Sequence, residues 1–336
     1  MRKLLATLLF ILVTAAAVST LQADSIDEVR KSAGQGDMAS QFSLGQRYEA
    51  GKGGVKRDLE AAAEWYRKAA QQGYKKAQTN LANLYRSGRG VGKDYAEAMR
   101  WYRKAAEQGD TRAMINIAMM NAEGQGVDKD EAAALKWLEK AAAAGDTEAM
   151  VHLGTLYSAG KVVEQNDAMS TEWFRLAAAK GNTIAQHNLG LSYYTGKGTK
   201  KNYTESVKWH RKAAEKGYPP AEYSMGLRYA RGDGVKQNYS EAASWYEKAA
   251  KHGHPSAQNN LGLLYRNGQG VSQDYAAALE WFRKAAERGY PLAQFNLGNM
   301  YLKGQGVKPD REEARKWFTK AADHGHKGSR KALDSM

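Results

Sequence analysis

Apolar side chains return along this chain in two alternating helical stripes. Ala77, Leu81, Leu84 and Tyr85 stand at i, i+4, i+7 and i+8, one face of a predicted helix A. Gly88-Arg89-Gly90-Val91 interrupts it, and Asp94 is the expected N-cap of a second helix, B. Helix B carries Ala98, Trp101, Tyr102 and Ala105 on its apolar face and ends at Gly109, where a left-handed backbone is required. The pair then repeats. Trp65, Trp101, Trp137, Trp173, Trp209, Trp245, Trp281 and Trp317 are spaced 36 residues apart, and each is followed eight residues later by a glycine. A fixed period of this size means one helical hairpin stacked many times, because a single hairpin cannot bury its own apolar face.

Eight units follow from the phase: 37–73, 74–109, 110–145, 146–181, 182–217, 218–253, 254–289 and 290–325. Residues 24–36 read as a capping half-repeat and 326–336 as a C-terminal cap. Pro255 and Pro291 fall in the first turn of helix A, where a missing N–H costs little. A column of small residues, Gly45, Ala82, Ala118, Gly154, Gly190, Gly226, Gly262 and Gly298, predicts a close helix–helix approach. The tryptophans, at helical spacing among alanines, are expected to be the core anchors rather than a stacking platform for sugars or bases.

The units read A-Q-x-N-L-G-x-x-Y-x-x-G-x-G-V and then D-Y-x-x-A-x-x-W-[YF]-x-K-A-A-x-x-G, nearly throughout in Ala257 to Gly289. This resembles the Sel-one-like repeat family, relatives of the tetratricopeptide repeats. The resemblance covers residues 37–325 and implies an all-α fold: a right-handed superhelical α-solenoid of eight helix-turn-helix repeats with caps at both ends. It also implies a non-enzymatic scaffold or adaptor that binds proteins, with exported bacterial members associated with envelope regulation and host interaction. Several positions depart from the pattern: Asn121 replaces the tyrosine, Val162 and Thr199 interrupt the loop motif, and Leu176 replaces the lysine. Units three and four are therefore expected to pack less regularly. A cysteine-rich branch of the family stabilises its repeats with disulfides, and some of its members are reported to bind β-lactams; this chain has no cysteine.

Composition changes the picture at the N-terminus. Arg2 and Lys3 precede an uncharged apolar run from Leu4 to Val18, and Ala23 before Asp24 offers a cleavage point. Residues 1–23 read as a secretory signal peptide, so the expected location is periplasmic or secreted, with no transmembrane span after cleavage. The formal net charge of +14 invites an anionic partner. Its distribution suggests a structural cause. Lys68, Lys104, Lys140, Lys212, Lys248, Lys284 and Lys320 share one position near the end of helix B, where the helix dipole favours cations. Arg67, Arg103, Arg175, Arg211 and Arg283 share the position before it.

Catalytic chemistry finds little support. The glycine loops lack the Walker spacing and read as turns, and His252/His254 and His324/His326 lack further metal ligands. No cofactor is expected, no catalytic constellation is visible, and nucleic acid is not an expected partner. The stronger signal lies beside the core stripe of helix A. One position holds Asn80, Asn116, His152, Asn188, Ser224, Asn260 and Asn296; three residues on come Asn83, Met119, Thr155, Leu191, Leu227, Leu263 and Asn299. Stacking would turn these into two parallel ladders. Asparagine carries a donor and an acceptor suited to an extended peptide backbone, and leucines would supply pockets. The asparagines are equally suited to bonding neighbouring helices. The expected groove comprises Asn80, Asn83, Asn116, His152, Asn188, Leu191, Leu227, Arg231, Asn260, Leu263, Asn296 and Asn299, with a protein or extended peptide as partner. A cell-wall glycan or another anionic polymer on the basic edge is the alternative.

Overall fold

The computed structural model describes residues 25–336, so the signal-peptide reading of residues 1–23 lies outside the described residues. Every regular element among the described residues is an α-helix. The chain divides into two compact units, Met1–Ala144 and Gly145–Met336. In the first, α1 (Ile26–Gly34) caps three hairpins: α2/α3 (Met38–Ala50, Leu59–Gln71), α4/α5 (Lys75–Ser87, Tyr95–Glu107) and α6/α7 (Thr111–Glu123, Glu131–Ala143). The second holds α8/α9 (Thr147–Ala159, Asp167–Ala179), α10/α11 (Thr183–Thr195, Tyr203–Ala214), α12/α13 (Pro219–Arg231, Tyr239–Lys251), α14/α15 (Pro255–Asn267, Tyr275–Glu287) and α16/α17 (Pro291–Lys303, Arg311–Asp323). It closes with α18 (Lys327–Asp334). Within each unit every helix packs on the next, the arrangement of an α-solenoid.

Each hairpin is closed in the same way. Asp58, Asp94, Asp130, Asn166, Asn202, Asn238, Asp274 and Asp310 cap helix B with their side chains. The N–H of each cap also donates to a carbonyl near the end of helix A, from Asp58 to Tyr48 through Asp310 to Tyr301, at 2.8–2.9 Å. This bond uses the backbone, so Asn121 serves where the other repeats have tyrosine: Asp130 N–H donates to its carbonyl at 2.9 Å. The Asn121 side chain is buried and donates to Ile117 O at 2.8 Å. Repeats three and four thus keep complete hairpins, each helix 13 residues long. Gly109 takes the expected left-handed backbone, with φ 76°.

The core corrects one expectation. The large residue driven deepest is the one after each tryptophan. Tyr66, Tyr102, His210, Phe282 and Phe318 have no exposed surface, and Leu138, Phe174 and Tyr246 are buried too. Trp101, Trp245 and Trp317 are buried, while Trp65, Trp137, Trp173, Trp209 and Trp281 are only half-buried. The inward stripe of helix B is Ala98, Tyr102 and Ala105, and Trp101 stands at its edge. The small-residue column meets this inner ring. A Cβ on Gly45, Gly154, Gly190, Gly262 or Gly298 would stand 2.6–2.8 Å from the ring of Tyr66, Phe174, His210, Phe282 or Phe318.

The lysine column gains a second cause. Lys68, Lys104, Lys140, Lys212, Lys248, Lys284 and Lys320 each hold Nζ 4.0–4.7 Å from the indole centroid three residues earlier. The arginine before it also reaches the next repeat. Arg67, Arg211 and Arg283 donate to the hydroxyls of Tyr85, Tyr229 and Tyr301 at 2.9–3.1 Å.

Candidate functional site

The two ladder positions of helix A reach the surface beside the inner aromatic ring, and none of the twelve expected groove residues is buried. In the first unit they form a connected polar strip. Tyr102 Oη donates to Asn83 Oδ1 at 2.5 Å, and Tyr66 Oη donates to Glu49 at 2.8 Å with Asn80 beside it. Burial pushes the Tyr102 phenol up to about 12, so it stays a donor. Arg86 donates to Asn116 Oδ1 at 2.9 Å, linking two repeats.

In the second unit the ladder is more apolar. His152 is half-buried, 3.9 Å from Glu148 on its own helix. Leu191 is exposed, whereas Leu227 and Leu263 are half-buried, packed on the aromatic clusters of Tyr246 and Phe282. Asn260 lies beside the Tyr246 and Tyr223 hydroxyls. Asn296 donates to Asn259 at 2.9 Å and accepts from Arg266 at 3.4 Å, while Asn299 donates to Phe295 O at 3.1 Å. Arg231 donates to the Tyr194 hydroxyl at 3.1 Å. Several asparagines therefore join neighbouring repeats, and their exposed edges remain on the same face.

Between α8, α9 and α10 this face opens into a cleft of about 430 Å³. Three ladder residues, Thr155, Asn188 and Leu191, line it. Small side chains make the room. Ser158 stands where other repeats place Arg86, Ala122, Tyr194, Ala230, Arg266 or Leu302, and Phe174 lacks the hydroxyl that Tyr66 and Tyr102 send toward the ladder. The wall is largely apolar although its residues are not. The hydroxyls of Thr155 and Thr195 turn back to Val151 O and Leu191 O at 2.9 Å, and Thr171 donates to Lys197 O at 3.1 Å. Their methyl groups join Leu191 and Phe174, while Asn188 and the serines supply the neutral polar part of the lining and Asp167 and Lys197 the charged part. Sequence reading found Asn188 and Leu191 but not the cleft. No single residue signals it, since Ala122 and Ala230 are smaller still at the Ser158 position; the cleft depends on how the neighbouring ring is placed.

A column of glutamines and several histidines have structural partners. Gln41, Gln78, Gln186, Gln258 and Gln294 donate from helix A to alanine carbonyls of the preceding helix at 3.0–3.3 Å. Repeat six places a buried Glu222 there, 2.9 Å from His252 Nδ1. His324 lies 3.1 Å from Gln294, and His254 and His326 cap α14 and α18. No group of three potential metal ligands occurs among the described residues. No helix there is long and apolar enough to cross a membrane.

Stacked helical hairpins with a ligand-sized face on helix A define a repeat scaffold. The Sel1 repeat model matches residues 39–74, 75–110, 111–146, 147–182, 183–218, 219–254, 255–290 and 291–326, and the chain belongs to the Sel1 repeat family. Sel1 repeat proteins are in general non-catalytic scaffolds for protein interaction. The crystal structure of a Sel1 repeat protein from Oxalobacter formigenes is similar, with 34% identity, TM-score 0.73, and coverage of 94% of this chain and 92% of that one. A protective antigen present in uropathogenic Escherichia coli strains, displaying an SLR fold, has 35% identity and TM-score 0.65 over 92% of this chain and 73% of that one. No curated protein matches significantly.

Proposed function

We propose that this chain is an exported, non-enzymatic adaptor of the bacterial envelope that binds an extended peptide or protein segment along the ladder face of helix A. The observation that carries the reading is the cleft at Thr155, Asn188 and Leu191. Its volume and methyl-rich wall suit one apolar side chain, and Asn188 beside it offers a donor and an acceptor to a peptide group. Export is read from residues 1–23, and envelope regulation or host interaction is the setting that the family resemblance suggests.

The test is a photo-crosslinking residue at Leu191 or Thr155, with Glu280 on α15 as the control. We expect one partner protein to crosslink from both cleft positions and not from the control. Leu191→Ser with Asn188→Ala should abolish the adduct while the melting temperature stays nearly unchanged, because both side chains are outside the core. Equal adducts from all three positions would remove the cleft from consideration. The second reading, an anionic glycan or polymer on the basic edge, loses support because the lysine column lies on indole faces. Binding that weakens steeply with salt and survives the Leu191 change would restore it.

A further inference from the structure

Repeat five places a histidine where the other repeats place Tyr66, Tyr102, Leu138, Phe174, Tyr246, Phe282 or Phe318. His210 is fully buried, pressed on Gly190 of α10. Its Nδ1 lies 3.3 Å from Ser206 Oγ, and its Nε2 finds no side-chain acceptor. His187, on the same face of α10, is buried with an unpartnered Nδ1, its ring 5.2 Å from that of His210. The ionisable neighbours offer little to a proton. Arg228 of α12 faces His210, already over the Tyr194 ring at 3.5 Å and 3.6 Å from Asp233. Tyr218 meets His187 edge-on at 5.5 Å, and His254 at the start of α14 is another potential cation facing it.

We infer that this imidazole pair makes the α10–α11 contact an acid-operated latch on the binding face of repeats four and five. The inference rests on the reading of the cleft as the binding site, because α10 carries both parts. Gly190 and His187 seat against α11, while Asn188, Leu191, Ser192 and Thr195 form one wall of the cleft. A proton on either ring puts a cation into a buried site, facing Arg228 at His210 and His254 at His187, so α10 loosens and the cleft wall goes with it. Burial is the main cause that lowers His187 to about 4 and His210 to about 3, each from 6.5. An opened or unfolded histidine keeps the ordinary value. The stabilisation is therefore complete above pH 6.5 and is lost as pH falls from 6.5 toward 4. From pH 7.5 to pH 5, each histidine should favour opening by about 30-fold, and the pair by several hundred-fold.

The test is hydrogen exchange of the full chain at both pH values, expressed as protection factors so that intrinsic exchange drops out. Protection in α10 and α11 should fall by several hundred-fold relative to α16 and α17. The variant His187→Phe with His210→Phe copies a pair the chain already packs, Phe295 and Phe318, with centroids 5.6 Å apart at the same 45° tilt. In it the pH response of α10 and α11 should vanish. Wild-type protection that does not change with pH overturns the latch even if the variant misfolds, as does a variant that keeps the response. The exchange readout needs no ligand. If Leu191 yields no specific adduct while the response is present, the groove reading fails and the pH-labile contact stands.

Discussion

Lys248 sits 4.0 Å from the centroid of Trp245, and Gly306 faces the backbone of Tyr275. Lys248→Ala should cost about 0.5–1 kcal/mol, the range for a solvent-exposed cation over an aromatic ring. Lys251→Ala, which removes an exposed pair with Glu247, should cost less. Urea titrations of the two variants decide this, and equal effects would show that the ring contact contributes nothing beyond charge. Gly306→Ala should be more severe. Its backbone has φ 71°, and the added Cβ would stand 2.6 Å from Tyr275 O, a backbone atom that cannot swing aside. A loss of about 2–3 kcal/mol is expected in the same titration. Val162 occupies this loop position in repeat four, and no residue other than glycine has positive φ among the described residues.

On a helix, adjacent positions point about 100° apart, so two neighbouring columns cannot both lie at the centre of one stripe. The spacing made the helices and their caps legible, and Asp94, Gly109 and Pro255 act as their residue types dictate. It did not show which of two repeating columns turns inward. Tryptophan drew attention by its constancy, whereas the inner column varies between tyrosine, phenylalanine, leucine and histidine. The cleft was illegible for a related reason: a void depends on how far neighbouring side chains reach. Phe282→Ala should therefore cost about 3–5 kcal/mol, as for a fully buried aromatic, and Trp281→Ala roughly half of that. Thermal melts of both would settle the order, and the reverse order would return the tryptophans to the centre.

Within each of the two units, every repeat is held by its neighbours in sequence, so damage should stay local. Tyr66→Ala should lower exchange protection in α2 to α4 and leave α14 to α17 as they were; uniform loss would contradict a stacked array. For export, fractionation should recover a chain beginning near Asp24 outside the cytoplasm, and a full-length cytosolic form would end that proposal.

The docking of the glycine loops on helix B of the preceding repeat has a further consequence. Gly270 faces Tyr239 as Gly306 faces Tyr275, and Gln258 donates to Ala250 O as Gln294 donates to Ala286 O. Excising residues 254–289 would bring Gly306 to Tyr239 and Gln294 to Ala250, like for like. The severed ends would close on chemistry they already know, and the chain should fold one hairpin shorter. Removing half that length would join two helices out of phase and should not fold. Length, in such a chain, is a variable that changes in whole steps.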